Sequence, residues 1–393
     1  MKVLLLGCFA LSPKGTVSQR ALPLGRALVR RGHQVTLLVP THDNPGEAGK
    51  SWDDDGVRVE TLAHRGGLAG AVARLVARAL TIEPDVVHVF KPVGPSGAAA
   101  VALARRFPLV LDLDDWEGWD GFAGSGAYRL PIAAAIEAQE RLTPRFARQL
   151  TVASRALYRR EVHRGRRPEG VVYLPNCVER RLIAGEPVPA EAIAAFRAAV
   201  DGEGAPIVLY LGHVPPANDL DLAVAALTPL AEAGVPFRWV VVGDGPGLAL
   251  LRSTLPAALA ERTRFVGRLA RPELRVAFAA SRLELVPARD TPINRAKCAM
   301  KVVDALAAGV PVVAPALGQH REYIVHGETG LLTPVGDGRA LTAAVQHLLT
   351  DPTYAARLGA AAAERMRRGY TWDHWIGEAE RAYRAAATGI PFA

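Results

Sequence analysis

The feature that most constrains this chain is a regular alternation of short, continuous apolar runs with helical stretches, and it occurs twice. Lys2–Leu6 is an apolar run followed by a Gly/Ser/Pro loop and a helical pattern through Ala27–Arg31, which Gly32 stops; Gln34–Val39 follows as the next strand. Asp85–Phe90 and Leu109–Leu113 read as further buried strands, with helical stretches at Leu68–Leu80 and Ser96–Arg106. Runs that are apolar on every residue, rather than on alternate ones, suit strands covered on both faces, so the expected unit is a parallel sheet between helices.

The pattern restarts after Pro187. Strands are expected at Ile207–Leu211, Trp239–Val242, Thr263–Val266, Leu283–Val286 and Val310–Val313, and helices at Asp219–Ala233, Gly247–Ala260, Arg271–Ala280 and Met300–Ala308. The proline- and glycine-bearing stretch Asn176–Pro189 reads as the crossing between two domains, and 393 residues suit two. Tyr370–Ala387 reads as a long amphipathic helix carrying Trp372, Trp375 and Tyr383, able to pack back on the first domain. No short repeat is present; the only repetition is the doubling of α/β units.

Composition excludes several classes. Half the residues are hydrophobic and 22% charged, as in a globular protein with sizeable cores. Cys8, Cys177 and Cys298 are scattered and odd in number, so neither a disulfide framework nor a zinc cluster is expected, and a reducing compartment such as the cytoplasm fits. The apolar start Met1–Leu11 has no A-x-A-like cleavage site after it and reads better as a first buried strand than as a leader. No apolar run approaches the ~20 residues of a membrane span. The net charge of +8 is uneven: Arg129, Arg141, Arg145, Arg148, Arg155, Arg159, Arg160, Arg164, Arg166 and Arg167 crowd one stretch. That stretch is either a solvated helical face or a patch that meets an anionic acceptor or the inner face of an anionic membrane. Nucleic acid is not expected, since aromatics are only 6% and no recognition module is visible.

Six segments, in order, carry a resemblance: ALVRRGHQVTLLV (27–39), PDVVHV (84–89), YLPNCVE (173–179), VVVGDGPG (240–247), FVGRL (265–269) and MKVVDALAAGVPVVAPALGQHREYIVHGETGLL (300–332). With them the chain resembles the retaining glycosyltransferases of the GT-B fold, the 4-like, group 1 enzymes common in bacteria. The resemblance implies two Rossmann-like, doubly wound parallel-sheet domains facing a central cleft. Residues 1–185 would form the acceptor side, with the helix in 370–393 packing back on them, and residues 186–369 the nucleotide-sugar side. It implies a transferase that moves a sugar from a nucleoside-diphosphate sugar to the hydroxyl of a carbohydrate, glycolipid or small molecule, with no metal and no further cofactor.

A diphosphate donor calls for backbone amides, helix N-termini and cations. The most informative stretch is Asp290–Asp304, which leaves an apolar strand and ends inside a helix closed by Gly309. Lys301 and Asp304 are three apart on one helix face: a cation for the diphosphate and a carboxylate for the adjacent ribose diol, or an ordinary i,i+3 ion pair. Arg295 and Lys297 add positive charge in the same loop. Gly243 and Gly245, in a strand-to-helix turn, either let backbone approach a ligand or merely permit the turn. The turn is not G-x-G-x-x-G, nor does the first strand carry that fingerprint, which argues against a dinucleotide dehydrogenase.

The resemblance adds Lys14, Gly15 and Thr16, in a loop that in the related enzymes lies over the donor phosphates, and the Gly318–Gln319 turn beside the donor. It also exposes departures. Relatives carry two glutamates separated by seven residues; Asp304 matches the second, Ala296 stands where the first belongs, and Asp290 is the nearest acidic substitute. Where many relatives have an Arg/Lys pair, this chain has Gly212-His213, so His213 is a donor contact or a structural histidine. Asp114 and Asp115 follow a buried strand where relatives place a histidine near the reacting sugar; they are candidates for a base toward the acceptor, or for helix capping and arginine pairing. His88, inside a strand, reads as a satisfied core or cleft-edge residue. No covalent nucleophile stands out, so a same-face displacement is expected, with Lys301, Arg295 or Lys297 stabilising the leaving diphosphate and domain closure excluding water. Two other readings remain open: a nucleotide-sugar epimerase or hydrolase, and a binding protein without turnover.

Overall fold

A computed structural model of the chain describes residues 1–12, 15–63, 65–126, 128–179, 187–201, 204–214 and 219–388. It divides into two compact units. The first is Met1–Cys177 with Arg295–Cys298 and Trp372–Ala393; the second is Val178–Asn294 with Ala299–Thr371.

The first unit is built on eight strands: β1 Lys2–Leu6, β2 Gln34–Pro40, β3 Ser51–Asp54, β4 Val57–Leu62, β5 Val86–Phe90, β6 Leu109–Leu113, β7 Gln149–Val152 and β8 Val171–Tyr173. Their order across the sheet is β3-β4-β2-β1-β5-β6-β7-β8, and every pairing is parallel except the β3–β4 hairpin. Val3–Leu6 are wholly buried because helices cover both faces. One face is packed by the helical stretch 17–30 and by the helix Trp372–Ala387. The other is packed by the helices Gly67–Ile82, Gly94–Leu103 and Arg155–His163.

The last helix belongs wholly to this unit. Trp372, Ile376, Ala379, Tyr383 and Ala386 recur at helical spacing and enter the β-sheet core. Tyr383 also meets the Nδ1 of His88 at 2.9 Å, and Arg30 pairs with Asp373 at 2.8 Å.

The second unit holds six parallel strands: β9 Ile207–Leu211, β10 Arg238–Val242, β11 Thr263–Gly267, β12 Leu283–Leu285, β13 Val312–Pro315 and β14 Gly330–Thr333, in the order β11-β10-β9-β12-β13-β14. Each sheet therefore reverses its winding once, between β1 and β5 and between β9 and β12. Ligands of open α/β sheets bind beyond the carboxyl ends of strands at such reversals.

Two expectations from the sequence are corrected here, and one element is added. The helix expected at Gly247–Ala260 is two, Leu248–Thr254 and Ala257–Ala260, because Pro256 lacks the N–H that a continuous helix needs and restricts Leu255 before it. The strand expected at Val310–Val313 starts two residues later. Gly309 sits at φ +78, the Val310 N–H bonds Ala305 O and the Gly309 N–H bonds Leu306 O, so this stretch still closes the preceding helix. The β3–β4 hairpin was not anticipated, although its Asp55-Gly56 turn, with both residues at positive φ, is the usual signature of a two-residue hairpin loop.

Candidate functional site

In the first unit, the end of β6 is fixed by a buried ion pair. Arg20, 2% exposed, donates from Nε and Nη2 to the two oxygens of Asp112 at 2.7 Å each. The same guanidinium reaches Asn176 Oδ1 at 3.0 Å and Leu174 O at 2.8 Å, so a wholly buried Arg has its charge and donors satisfied. Thr151 donates to Asp112 at 2.6 Å, and its hydroxyl also meets the Nε2 of His88 at 3.0 Å. Burial pushes the His88 imidazole down to about 4, so it is neutral and structural, as its place inside a strand suggested.

Two residues further along, Asp114, Asp115 and Glu117 gather around Lys91, the first residue after β5. The Lys91 ammonium lies 2.8 Å from Asp115, 2.8 Å from Glu117 and 3.8 Å from Asp114. Burial works against its charge, but the three carboxyls outweigh burial and hold Lys91 protonated well above the usual range. For Asp114 burial acts first, opposed by Lys91 and reinforced by Asp115, Asp112 and Glu117, and its carboxyl is pushed up to about 7. Burial raises Glu117 as well. A carboxyl that titrates near neutrality beside the sheet's reversal point has the charge behaviour of a general base. Lys91 and Arg20 were not singled out from the sequence. The position of Lys91, a charged residue directly after a buried strand at that reversal, was the available signal.

In the second unit, the side chain of Lys301 leaves the helix Met300–Ala307 and lies over the Tyr210 ring, 4.3 Å from its centroid. A Cβ on Gly212, directly after β9, would stand 2.6 Å from the Lys301 Nζ, so the ammonium rests against this turn. Burial pushes Lys301 below its ordinary value while Glu284 and Asp219 oppose that. Glu284, in the middle of β12, is wholly buried, and burial pushes its carboxyl well up against the pull of Lys301. Burial likewise raises Asp304 to about 6; Arg271 opposes this from 3.6 Å, and Asp304 Oδ1 has no hydrogen-bond partner among the described residues. Lys301 and Asp304 thus lie at the carboxyl side of the β9/β12 reversal, with Glu284 and Arg271 as partners that the sequence did not reveal.

The other anticipated residues fall into distinct places. The Gly243 N–H donates to Gly267 O at 2.7 Å, and the Gly245 N–H to Asp244 Oδ1 at 2.7 Å. Cβ atoms at these two positions would stand 1.9 Å from Gly212 O and 2.1 Å from Val214 O. Both glycines therefore let two loops touch, and neither amide is free for a phosphate in this arrangement. The exposed His213 lies against Gly245. Asp290 is exposed at the end of the loop after β12, while Arg289 beside it pairs with Asp219 and Asp221. Arg295 and Lys297 are exposed and group with the first unit, not with Lys301. Gly318 adopts φ +47 and Gln319 is buried behind it. Gly15 and Thr16 open the first helical turn, and Lys14 lies outside the described residues. Among the described residues, Asp114, Asp115 and Glu117 form the group whose oxygens converge as metal ligands do, within 4.8 Å of one another.

Comparison with known proteins finds relatives over nearly the whole chain. Residues 15–177 match the family described as "Glycosyl transferase 4-like domain", and residues 205–351 match "Glycosyl transferases group 1". A GDP-mannose-dependent alpha-mannosyltransferase of Mycobacterium tuberculosis is 29% identical over 91% of this chain and 89% of its own length. A phosphatidyl-myo-inositol mannosyltransferase of Mycobacterium leprae is 32% identical over 46% of this chain and 47% of its own. Among solved structures, sucrose-phosphate synthase from Thermosynechococcus elongatus superimposes with a TM-score of 0.76 over 98% of both chains at 21% identity.

Proposed function

Because this chain is a glycosyltransferase of the GT-B fold, in the group 1 and 4-like family, we propose that its second unit binds a nucleoside-diphosphate sugar through Lys301 and Asp304 and that its first unit presents an acceptor hydroxyl to Asp114. The observation that carries the reading is the Lys301 ammonium held over Tyr210 and against the Gly212 turn, with Asp304 three residues on, at the carboxyl side of the reversal between β9 and β12. Lys301 supplies a cation for the departing diphosphate and Asp304 a carboxylate for the ribose diol. The name of a relative aligned over nearly its whole length makes GDP-mannose the first donor to test. Transfer with retention and without metal, by displacement on one face of the sugar, completes the reading; Asp290 stands exposed on a loop end. That same point favours the alternative of a donor-binding protein without turnover.

A donor-induced rise in melting temperature tests the first half. GDP-mannose is expected to stabilise the fold by RT ln(1 + [L]/Kd), against UDP-glucose, ADP-glucose and dTDP-glucose as competitors. Asp304 accepts hydrogen bonds best when ionised. Its carboxyl titrates near 6, whereas the diphosphate of a nucleotide sugar stays ionised there, so donor affinity should fall as pH drops through about 6. Asp304→Asn should bind weakly and without that slope; an equal slope in the variant would remove Asp304 from the site. Stabilisation by donor with no transfer to any acceptor would favour the binding-only alternative.

The reading extends to a peripheral membrane site for a lipid-borne acceptor. Leu130, Ile132, Leu142 and Phe146 are exposed on and beside the helix Leu130–Leu142, flanked by exposed Arg129, Arg141 and Arg145. Apolar side chains ringed by arginines suit an anionic bilayer surface. Flotation with vesicles containing phosphatidylglycerol, but not with pure phosphatidylcholine, is expected. Leu130→Glu/Ile132→Glu should abolish it, and absence of flotation in the unaltered protein would refute the membrane site.

A further inference from the structure

The acceptor-side cluster is organised around one residue whose backbone is as constrained as its side chain. Lys91 sits at φ +50, a region that costs a non-glycine residue about 1–3 kcal/mol and persists only where the surroundings enforce it. They do so here. The Lys91 N–H donates to Asp112 O at 3.0 Å, its carbonyl accepts from the Val93 N–H at 2.7 Å, and the wholly buried Ser96 hydroxyl donates to it at 3.0 Å. The side chain is 11% exposed and its Nζ lies 5.8 Å from the centre of the Phe122 ring. An ammonium has three N–H donors. This one stands among three carboxyls, those of Asp114, Asp115 and Glu117, which are also the group with the spacing of metal ligands.

We propose that Lys91 is the resident cation of this cluster: its ammonium takes the place of a divalent metal, keeps one out, and positions the Asp114 carboxyl for proton transfer. The proposal deepens the acceptor-side reading given above and rests on it. A divalent ion seated between the same oxygens would stand within a few ångströms of the ammonium, and in a site shielded from water that repulsion is poorly screened. A Lys is also permanent, whereas a metal held by three carboxylates depends on supply. The groups facing Asp114 have opposite effects on it: Lys91 favours its ionised form, while Asp112, Asp115 and Glu117 disfavour it. Without the ammonium, three crowded carboxyls must take up protons or another cation.

The test uses the full-length protein, Lys91→Met and Lys91→Arg, with Mn²⁺ binding followed by electron paramagnetic resonance and with transfer rate measured against pH in EDTA. The unaltered protein should take up no Mn²⁺ at the cluster and lose no activity in EDTA. Lys91→Met should lose at least about tenfold in rate. Its rising pH limb should move to higher pH, and it should gain a Mn²⁺ site that a further Asp115→Asn removes. Lys91→Arg, which keeps the charge, should retain the limb near its original pH and gain no Mn²⁺ site. Mn²⁺ binding by the unaltered protein that Asp115→Asn abolishes would overturn the proposal in favour of a metal site. So would a folded Lys91→Met with unchanged rate and pH limb. If Lys91→Met does not fold, the Mn²⁺ and EDTA measurements on the unaltered protein still decide between ammonium and metal. Donor-induced stabilisation is read in parallel, so a wrong donor assignment shows there and leaves the Mn²⁺ result standing.

Discussion

Lys301→Met is expected to lower the rate of sugar transfer by about 10²–10³-fold, the usual consequence of deleting one fixed group that stabilises developing charge. The ammonium is held over Tyr210 and against the Gly212 turn, so no solvent cation would reproduce its placement. The same substitution carries a second cost. Glu284 is wholly buried and Lys301 favours its ionised form, so without the ammonium the carboxyl stays in place only by holding its proton. Burial already raises the Glu284 carboxyl far above its unfolded value. In Lys301→Met the folded state would therefore hold this proton still more tightly than the unfolded chain, and stability would fall as pH rises above the unfolded carboxyl range until the folded pKa is passed. Lys301→Met/Glu284→Gln removes the titrating carboxyl and should recover most of the melting temperature at neutral pH while leaving the rate low. Rate and thermal unfolding, measured on the three proteins together, separate the catalytic loss from the structural one. Recovery of the rate in the double variant would refute a direct role for Lys301.

Asp114→Asn should cost about 10²–10⁴-fold in transfer, the range for loss of a general base, while donor affinity stays unchanged. Its carboxyl titrates near 7, and the ionised form accepts the proton, so the rate of the unaltered enzyme should rise with pH through about 7. The Asn variant should lack that rise. Asp115 sets a sharper comparison. Its carboxylate is already engaged by Lys91 at 2.8 Å, so Asp115→Asn should retain more activity. Removing a like charge beside Asp114, and freeing Lys91 to approach it, should shift the rising limb to lower pH. Two variants one residue apart would then move the same profile in different ways. If Asp115→Asn is the one that flattens the limb, the roles are exchanged.

The parts of this fold that were legible in the sequence are those whose residues are apolar for a reason that acts on both sides. Lys2–Leu6, Leu109–Leu113 and Ile207–Leu211 lie inside their sheets, covered by helices on each face, and so read as unbroken apolar runs. β7, β8 and β14, three or four residues long, carry almost no period and were not read, whereas β12 and β13, equally short, were. The positions of Asp114 and Lys301 near their sheets' reversal points followed from strand ends. Their partners did not: Lys91, Arg20, Glu284 and Arg271 each meet a carboxyl or ammonium at least seventeen residues away in sequence, a distance over which no local spacing speaks. The paired amides of Gly243 and Gly245 show a glycine-rich turn that also holds two loops in contact.

The helix Trp372–Ala387 has a consequence for how the protein is made. It contributes Trp372, Ile376 and Tyr383 to a core whose other members are almost all upstream of Val178, while the whole second unit lies between them in sequence. Synthesis proceeds at about 5–20 residues per second and ordinarily lets amino-terminal domains fold first. Here the order is inverted. The amino-terminal unit must wait, one sheet face still lacking part of its cover, until the helix Trp372–Ala387 has been made. The unit encoded in the middle is the first that can be complete, and premature termination anywhere in the final helix would leave the amino-terminal unit unfinished while sparing the central one.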